Sequence, residues 1–152
     1  MDETGLTGKQ KVTLLSTWAL MKQDLDLHGR NLLLLLFSEH PNFLPYFNFS
    51  TDSHSTSLAD NQALFAHSMN VILALGALIE HGLKCPKMFQ CLLAKLAKNH
   101  HRRGVTGGDV KLFGKIMVRY FGEVLGRQAA DTLPSAFGTL IDKAAEAFDG
   151  FQ

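Results

Sequence analysis

Cysteines, net charge and long apolar runs are all scarce in this chain, and each scarcity excludes a class of protein. The 152 residues include only two cysteines, Cys85 and Cys91, and no zinc-site spacing surrounds them. One cysteine pair in a chain of this length is no disulfide framework, so we expect two buried thiols in a reducing compartment. The formal net charge of +1 provides no electrostatic footprint for nucleic acid or a membrane surface.

A membrane-spanning or secretory segment is not apparent either. The longest apolar run in the first half, residues 32–37, is far shorter than the roughly 20 residues that cross a bilayer. The N-terminus is polar and acidic and lacks the apolar core of a signal peptide. We therefore expect a cytoplasmic protein with no nucleic-acid or membrane partner, while a homo-oligomer stays open.

Apolar residues make up 46% of the chain, an ordinary content for a globular protein. A chain of this length has the usual size of one domain, so we expect a single domain over residues 1–152. The apolar residues recur at helical spacing, and neither a β pattern nor an internal repeat appears. The predicted fold class is all-α, with seven or eight helices.

The first predicted helix begins at a capping box formed by Thr7 and Gln10 and runs to about Lys22. We expect Thr13 to face water. The residues expected in the core are Leu14, Leu15, Trp18 and Met21.

A second helix is predicted over residues 26–39, with Asp24 or Asp26 as its cap. Five consecutive leucines within it predict burial on several sides, and Gly29 removes a side chain where another helix could cross closely. Two prolines then predict a short 3₁₀ corner that ends in Phe47. A polar surface loop is expected over residues 48–57.

Two later helices each carry a histidine within an apolar stripe. The helix predicted over 58–81 places His67 in line with Leu64, Val71, Leu75 and Leu78. The next helix begins at Pro86, and Gly104 stops it in the left-handed conformation. His100 lies four residues past Leu96, on the same face. Two further helices are expected, at 106–125 behind a Thr106 cap and at 131–148.

His67 and His100 are 33 residues apart, which on one straight helix would be roughly 50 Å. Gly82 and Pro86 interrupt the helix between the two histidines, so two separate helices can face each other with an inward imidazole on each. No carboxylate joins the histidines, which excludes a zinc or di-iron site of the bundle type. No acid–base pair or activated nucleophile occurs at recognisable spacing. An apolar slot between two imidazoles suits haem.

At this point the sequence resembles the globin family, over about residues 6–148. Phe37-Ser-Glu-His-Pro41, followed by Phe47, resembles the globin corner. His67-Ser-Met-Asn-Val71 resembles the distal segment, and Leu96-Ala-Lys-Asn-His100, ending at Val105, resembles the proximal segment. The resemblance is to an invertebrate or nerve-type haemoglobin or a myoglobin-like globin, although the gap between the two histidine segments is a few residues longer than in vertebrate myoglobin-like chains. The resemblance implies a globin fold around a haem pocket.

The resemblance also implies roles for individual residues. His100 would be the proximal iron ligand through Nε2, while its other ring N–H donates to the Leu96 carbonyl. The neighbouring His101 is a competing candidate, but its spacing from Leu96 is wrong for the same face. His67 would be the distal histidine, which either donates a hydrogen bond to bound O₂ or occupies iron as the sixth ligand.

The remaining pocket residues follow from the same likeness. Phe47 would stack on haem, and Leu33 and Val71 would line the distal side. Asn70 and Arg103 would meet the haem propionates at the rim, with a solvated helix face as the alternative interpretation for each. The walls that exclude water would be Phe47, Leu96, Val105 and Val110.

The implied function is reversible O₂ binding for storage, transport or delivery, through haem b, with CO and NO as further gaseous ligands. The chain would then be no enzyme. An alternative is a haem-based NO dioxygenase, nitrite reductase or gas sensor that depends on an external electron donor. A haem-free helical module that binds a partner or an apolar ligand is a third hypothesis, and it would make both inward histidines coincidental.

Overall fold

The computed structural model describes residues 2–47 and 58–151, and the expected loop at 48–57 lies outside them. Within these ranges the fold is all-α, as predicted, with six α-helices rather than seven or eight. The corner before Phe47 is a 3₁₀ segment, Pro41–Tyr46, as its two prolines predict, and it is not counted among the α-helices. The helices are α1 (Gly8–Met21), α2 (Leu25–Glu39), α3 (Gln62–Glu80), α4 (Pro86–His101), α5 (Gly107–Leu125) and α6 (Leu133–Gly150).

Two helices begin where their capping residues predict. Thr7 accepts from the Gln10 backbone N–H at 3.1 Å, and the Gln10 side chain accepts from the Thr7 N–H at 3.0 Å. Thr106 and Asp109 form the same box at α5. The expected acidic cap of α2 is wrong: Asp24 occupies the N-cap position without a side-chain cap bond, because a 3₁₀ turn leads from α1 directly into α2.

Helix α1 is rotated relative to the predicted orientation. Thr13 is only 4% exposed, whereas Leu15 is 36% exposed. The hydroxyl of Thr13 pairs with the hydroxyl of Thr132, just before α6, and this partner removes the cost of burying it. The α1 residues that face the core are therefore Thr13, Leu14, Thr17, Trp18 and Met21.

Small residues set the closest helix crossings. A Cβ built on Gly29 of α2 would lie 3.2 Å from the Ser68 carbonyl oxygen of α3, so the predicted close approach is confirmed. A Cβ on Gly114 of α5 would lie 2.5 Å from the Ile141 side chain of α6. These glycines let α2 approach α3 and α5 approach α6 closely.

The segment Gln62–Lys84 has the length and the mean hydropathy, 1.6, of a membrane-crossing helix. Leu64, Ile72 and Ile79 on this segment are nevertheless fully buried in the fold. Core helices meet the same criteria of length and composition, so this segment carries no argument for a membrane.

Both cysteines are exposed free thiols, so the expectation that they are buried is wrong. Helix α4 directs Phe89, Leu93 and Ala97 into the core, at a constant spacing of four. Cys91 lies two residues after Phe89 and thus on the other side of the helix, and Cys85 precedes the first turn.

Candidate functional site

An apolar cavity of about 160 Å³ lies among α2, the 3₁₀ corner and α3–α6. Every residue that the sequence predicted for the pocket interior lines it. These residues are Leu33, Phe47, His67, Val71, Leu96, His100, Val105 and Val110. Periodicity predicted the inward histidines with Val71 and Leu96, the family resemblance implied the others, and the fold brings both sets together in one cavity.

A larger, more polar cleft of about 630 Å³ adjoins this cavity, since both are lined by His67, Val71, Leu96 and His100. The two residues predicted for the rim line this cleft and not the inner cavity. They are accompanied by three further polar or basic side chains, so the cleft is lined by Asn70, Lys98, Asn99, Arg102 and Arg103. The slot is thus apolar inside and basic at its mouth.

His100 lies in the last turn of α4, where its Nδ1–H donates to the Leu96 carbonyl oxygen at 2.8 Å. This bond confirms the predicted partner. A carbonyl oxygen only accepts, so the proton of the neutral ring is on Nδ1 and the lone pair is on Nε2. Burial lowers the pKa of His100, the Leu96 carbonyl opposes this shift, and Arg103 adds to it.

The adjacent histidine is directed elsewhere. His101 is exposed and packs its ring against Phe151, with the ring centroids 5.0 Å apart. The spacing of four from Leu96 thus correctly identified His100 as the residue that faces the cavity.

His67 reaches the cavity from α3. Burial, Arg103 and His100 together lower the pKa of His67 to about 4, so its imidazole is neutral at physiological pH. Its ring meets the edge of Phe47, with centroids 4.5 Å apart and planes at 70°. Phe47 in turn packs against Phe37 at 5.1 Å, so the corner holds a continuous aromatic contact from α2 to the histidine.

One polar contact in the cavity wall was not predicted. The Tyr46 hydroxyl donates to Asp109 Oδ2 at 3.1 Å, and both residues line the cavity. The hydrogen bond to Asp109 raises the pKa of Tyr46 above its ordinary value. It joins the 3₁₀ corner to the first turn of α5 across 63 residues, a pairing that no local pattern reveals.

Other wall residues were missed for a different reason. Phe113, Met117, Ile141, Ala144 and Phe148 also line the cavity. All five are apolar residues of the two helices predicted at 106–125 and 131–148, but helical spacing does not distinguish a residue that packs in the core from one that lines a cavity.

The family model for globins matches residues 30–148 of the chain. The chain belongs to the globin family. A globin of Buccinum undatum is 30% identical over 139 residues, which cover 90% of this globin and 94% of the relative. A globin of Tritia mutabilis is 28% identical over 140 residues, covering 90% and 95% respectively. A myoglobin of Sarda chiliensis is 29% identical over 117 residues, covering 76% and 77%.

The donor set of this globin fits haem. Among the described residues no group of three or more His, Cys, Asp or Glu side chains could hold a bare metal ion. The cavity offers one imidazole from α3 and one from α4, with apolar walls between them. Haem iron brings four porphyrin nitrogens of its own, so it would need only these imidazoles from the protein and an apolar slot for the macrocycle.

Proposed function

We propose that this globin holds haem b between His100 and His67 and binds O₂ reversibly. When bound, haem supplies an iron centre that takes a diatomic gas. The observation that supports the proposal most directly is the hydrogen bond of His100. Its Nδ1 is engaged by the Leu96 carbonyl, which leaves the Nε2 lone pair available as the proximal ligand.

His67 would act from the opposite wall. Since its imidazole is neutral, it retains one ring N–H, which can be donated to a gaseous ligand held in the pocket. The same ring could instead bind iron when no gas is present. The edge contact with Phe47 limits where the imidazole can point and so restricts it to this region of the cavity.

The apolar walls would keep water from the reaction site. Phe47 would stack on the macrocycle and Leu33 and Val71 would line the distal side. Val105 and Val110 would complete the apolar wall. Exclusion of water strengthens any hydrogen bond that His67 makes within the cavity, because the local dielectric constant is low.

The polar outer cleft would receive the propionate groups of the haem. Arg103 lies near enough to lower the pKa of both histidines, so its positive charge acts within the site. With Asn70, Lys98 and Arg102 it lines the outer cleft. Guanidinium and ammonium groups pair well with carboxylates, as in the two propionates.

We propose reversible binding of small gases, O₂, CO and NO, in a cytoplasmic protein that is not an enzyme. The test is to add haemin to the purified chain and record the absorption spectrum. A Soret band that saturates at one equivalent supports the proposal, and its absence overturns it. Sustained consumption of NO with a reductant would favour the catalytic alternative.

A further inference from the structure

We propose that the last turn of α6 positions the imidazole of His100, and that Phe148 makes the contact that does so. The stacking itself is independent of haem. Its consequence for iron rests on the proposed function, in which His100 is the proximal ligand.

The aromatic contact provides a restraint that the hydrogen bond lacks. The rings of His100 and Phe148 have centroids 5.0 Å apart and planes inclined by 35°. The bond from Nδ1 to Leu96 fixes one atom of the imidazole but allows the ring plane to tilt about that atom. A phenyl ring in contact with the imidazole at this inclination opposes the tilt, so the two contacts together define the direction of Nε2.

The backbone around Phe148 is itself anchored. The next residue, Asp149, accepts the Gly107 backbone N–H through Oδ1 at 2.7 Å. This bond ties the end of α6 to the N-terminus of α5, where a carboxylate is favoured by the helix dipole. Gly107 is needed there, because a Cβ would lie 2.7 Å from the Ala145 carbonyl oxygen. Phe148 is therefore held in place by a long-range contact rather than by its own helix end alone.

A matched control occurs one turn away. The rings of His101 and Phe151 also have centroids 5.0 Å apart, but His101 is exposed. Phe151→Leu removes a histidine–phenylalanine contact of the same distance from the same helix end, outside the cavity.

The test is vibrational. The iron–histidine stretching band of the ferrous, gas-free holoprotein is recorded by resonance Raman spectroscopy, in a His67→Leu background so that one imidazole alone can bind iron. We expect Phe148→Leu to broaden and shift the band because the ring gains orientations. Phe148→Tyr, which keeps the ring, should restore the parent band, and Phe151→Leu should leave it unchanged.

A second variant tests whether the end of α6 positions His100 without changing a residue that lines the cavity. Asp149→Ala releases the end of α6, and we expect it to broaden the band in the same direction as Phe148→Leu. It also covers the case in which Phe148→Leu fails to fold.

Two results would overturn the inference. One is a parent-like band in both Phe148→Leu and Asp149→Ala, even with faster haem loss, since Phe148 would then only fill the wall. The other is an equal change in Phe151→Leu. Failure of the proposed function is recognised separately, by the lack of a Soret band in the parent. In that case NMR shifts of the His100 ring protons in the full chain test the stacking, and a shift unchanged by Phe148→Leu refutes it.

Discussion

Replacing His67 with leucine tests the distal side of the site most directly. The substitution puts an apolar side chain into the cavity wall and removes the only imidazole that α3 contributes to it. If the gas-free site is open, we expect O₂ affinity to fall much more than CO affinity. Bound O₂ is the more polarised of the two ligands, so a hydrogen bond favours it selectively.

The magnitude follows from the state of the imidazole. Burial lowers the pKa of His67 to about 4, so the ring is neutral and offers one N–H to the ligand. A hydrogen bond to a charged partner contributes about 1.5–3 kcal/mol. At about 1.4 kcal/mol per tenfold, the loss is on the order of ten- to a hundred-fold in O₂ affinity. Most of it should appear as faster O₂ release.

The pH dependence provides an internal check. With a pKa near 4, His67 stays neutral across about pH 6–8, so the wild-type advantage in O₂ affinity should be constant over that range. It should change only as the pH falls towards the pKa and the ring takes up a second proton.

Stopped-flow and flash-photolysis rates for O₂ and CO on this variant decide the outcome. If His67 occupies iron in the resting protein, the substitution removes a competitor. CO binding then becomes faster and tighter, and the sharp, split visible bands expected of a ferrous protein with both histidines bound to iron vanish. Unchanged kinetics for both gases would refute the distal assignment.

Three further predictions concern the proximal ligand, the aromatic wall and the packing of the last two helices. His100→Ala should lose haem on a desalting column while His101→Ala retains it; the reverse result would show that the register is wrong. Phe47→Ala should speed haem transfer to an apo-acceptor protein, because removal of a packed phenyl ring costs about 3–5 kcal/mol, and an unchanged transfer rate would contradict the stacking role. Gly114→Ala, whose Cβ would enter α6, should lower the free energy of unfolding by about 1–3 kcal/mol. Both variants are compared by thermal unfolding. Gly122→Ala is the control: its Cβ would meet nothing within 4 Å, so we expect it to be neutral or stabilising.

The inward histidines could be predicted from the sequence because their placement is a local property. A residue four positions from Leu96 on a helix shares its face wherever that helix packs, and the same holds for His67 within its stripe. Once Gly82 and Pro86 separate the two helices, an apolar face on each leaves few ways to bury both.

The orientation of α1 shows the limit of that reasoning. Leu15 is apolar and Thr13 is not, so a periodicity based on hydrophobicity places the wrong one in the core. The hydroxyl of Thr13 can be buried because Thr132, 119 residues away, satisfies it. The hydrogen bond to this distant partner changes the free energy of burying Thr13 by about as much as the burial of one methyl group contributes. No short window of the sequence contains both residues.

The same limit applies to the residues that we propose to hold the His100 imidazole in position. His100 is recognised by its spacing, but the contacts that orient it come from Phe148, 48 positions further on, and from the bond between Gly107 and Asp149. Each of these residues has an ordinary local explanation, as a stripe residue, a first-turn glycine or an exposed acid. Their shared role exists only when α4, α5 and α6 meet. A sequence pattern can therefore indicate which atoms bind, whereas the precision of their placement depends on contacts between helices distant in the chain.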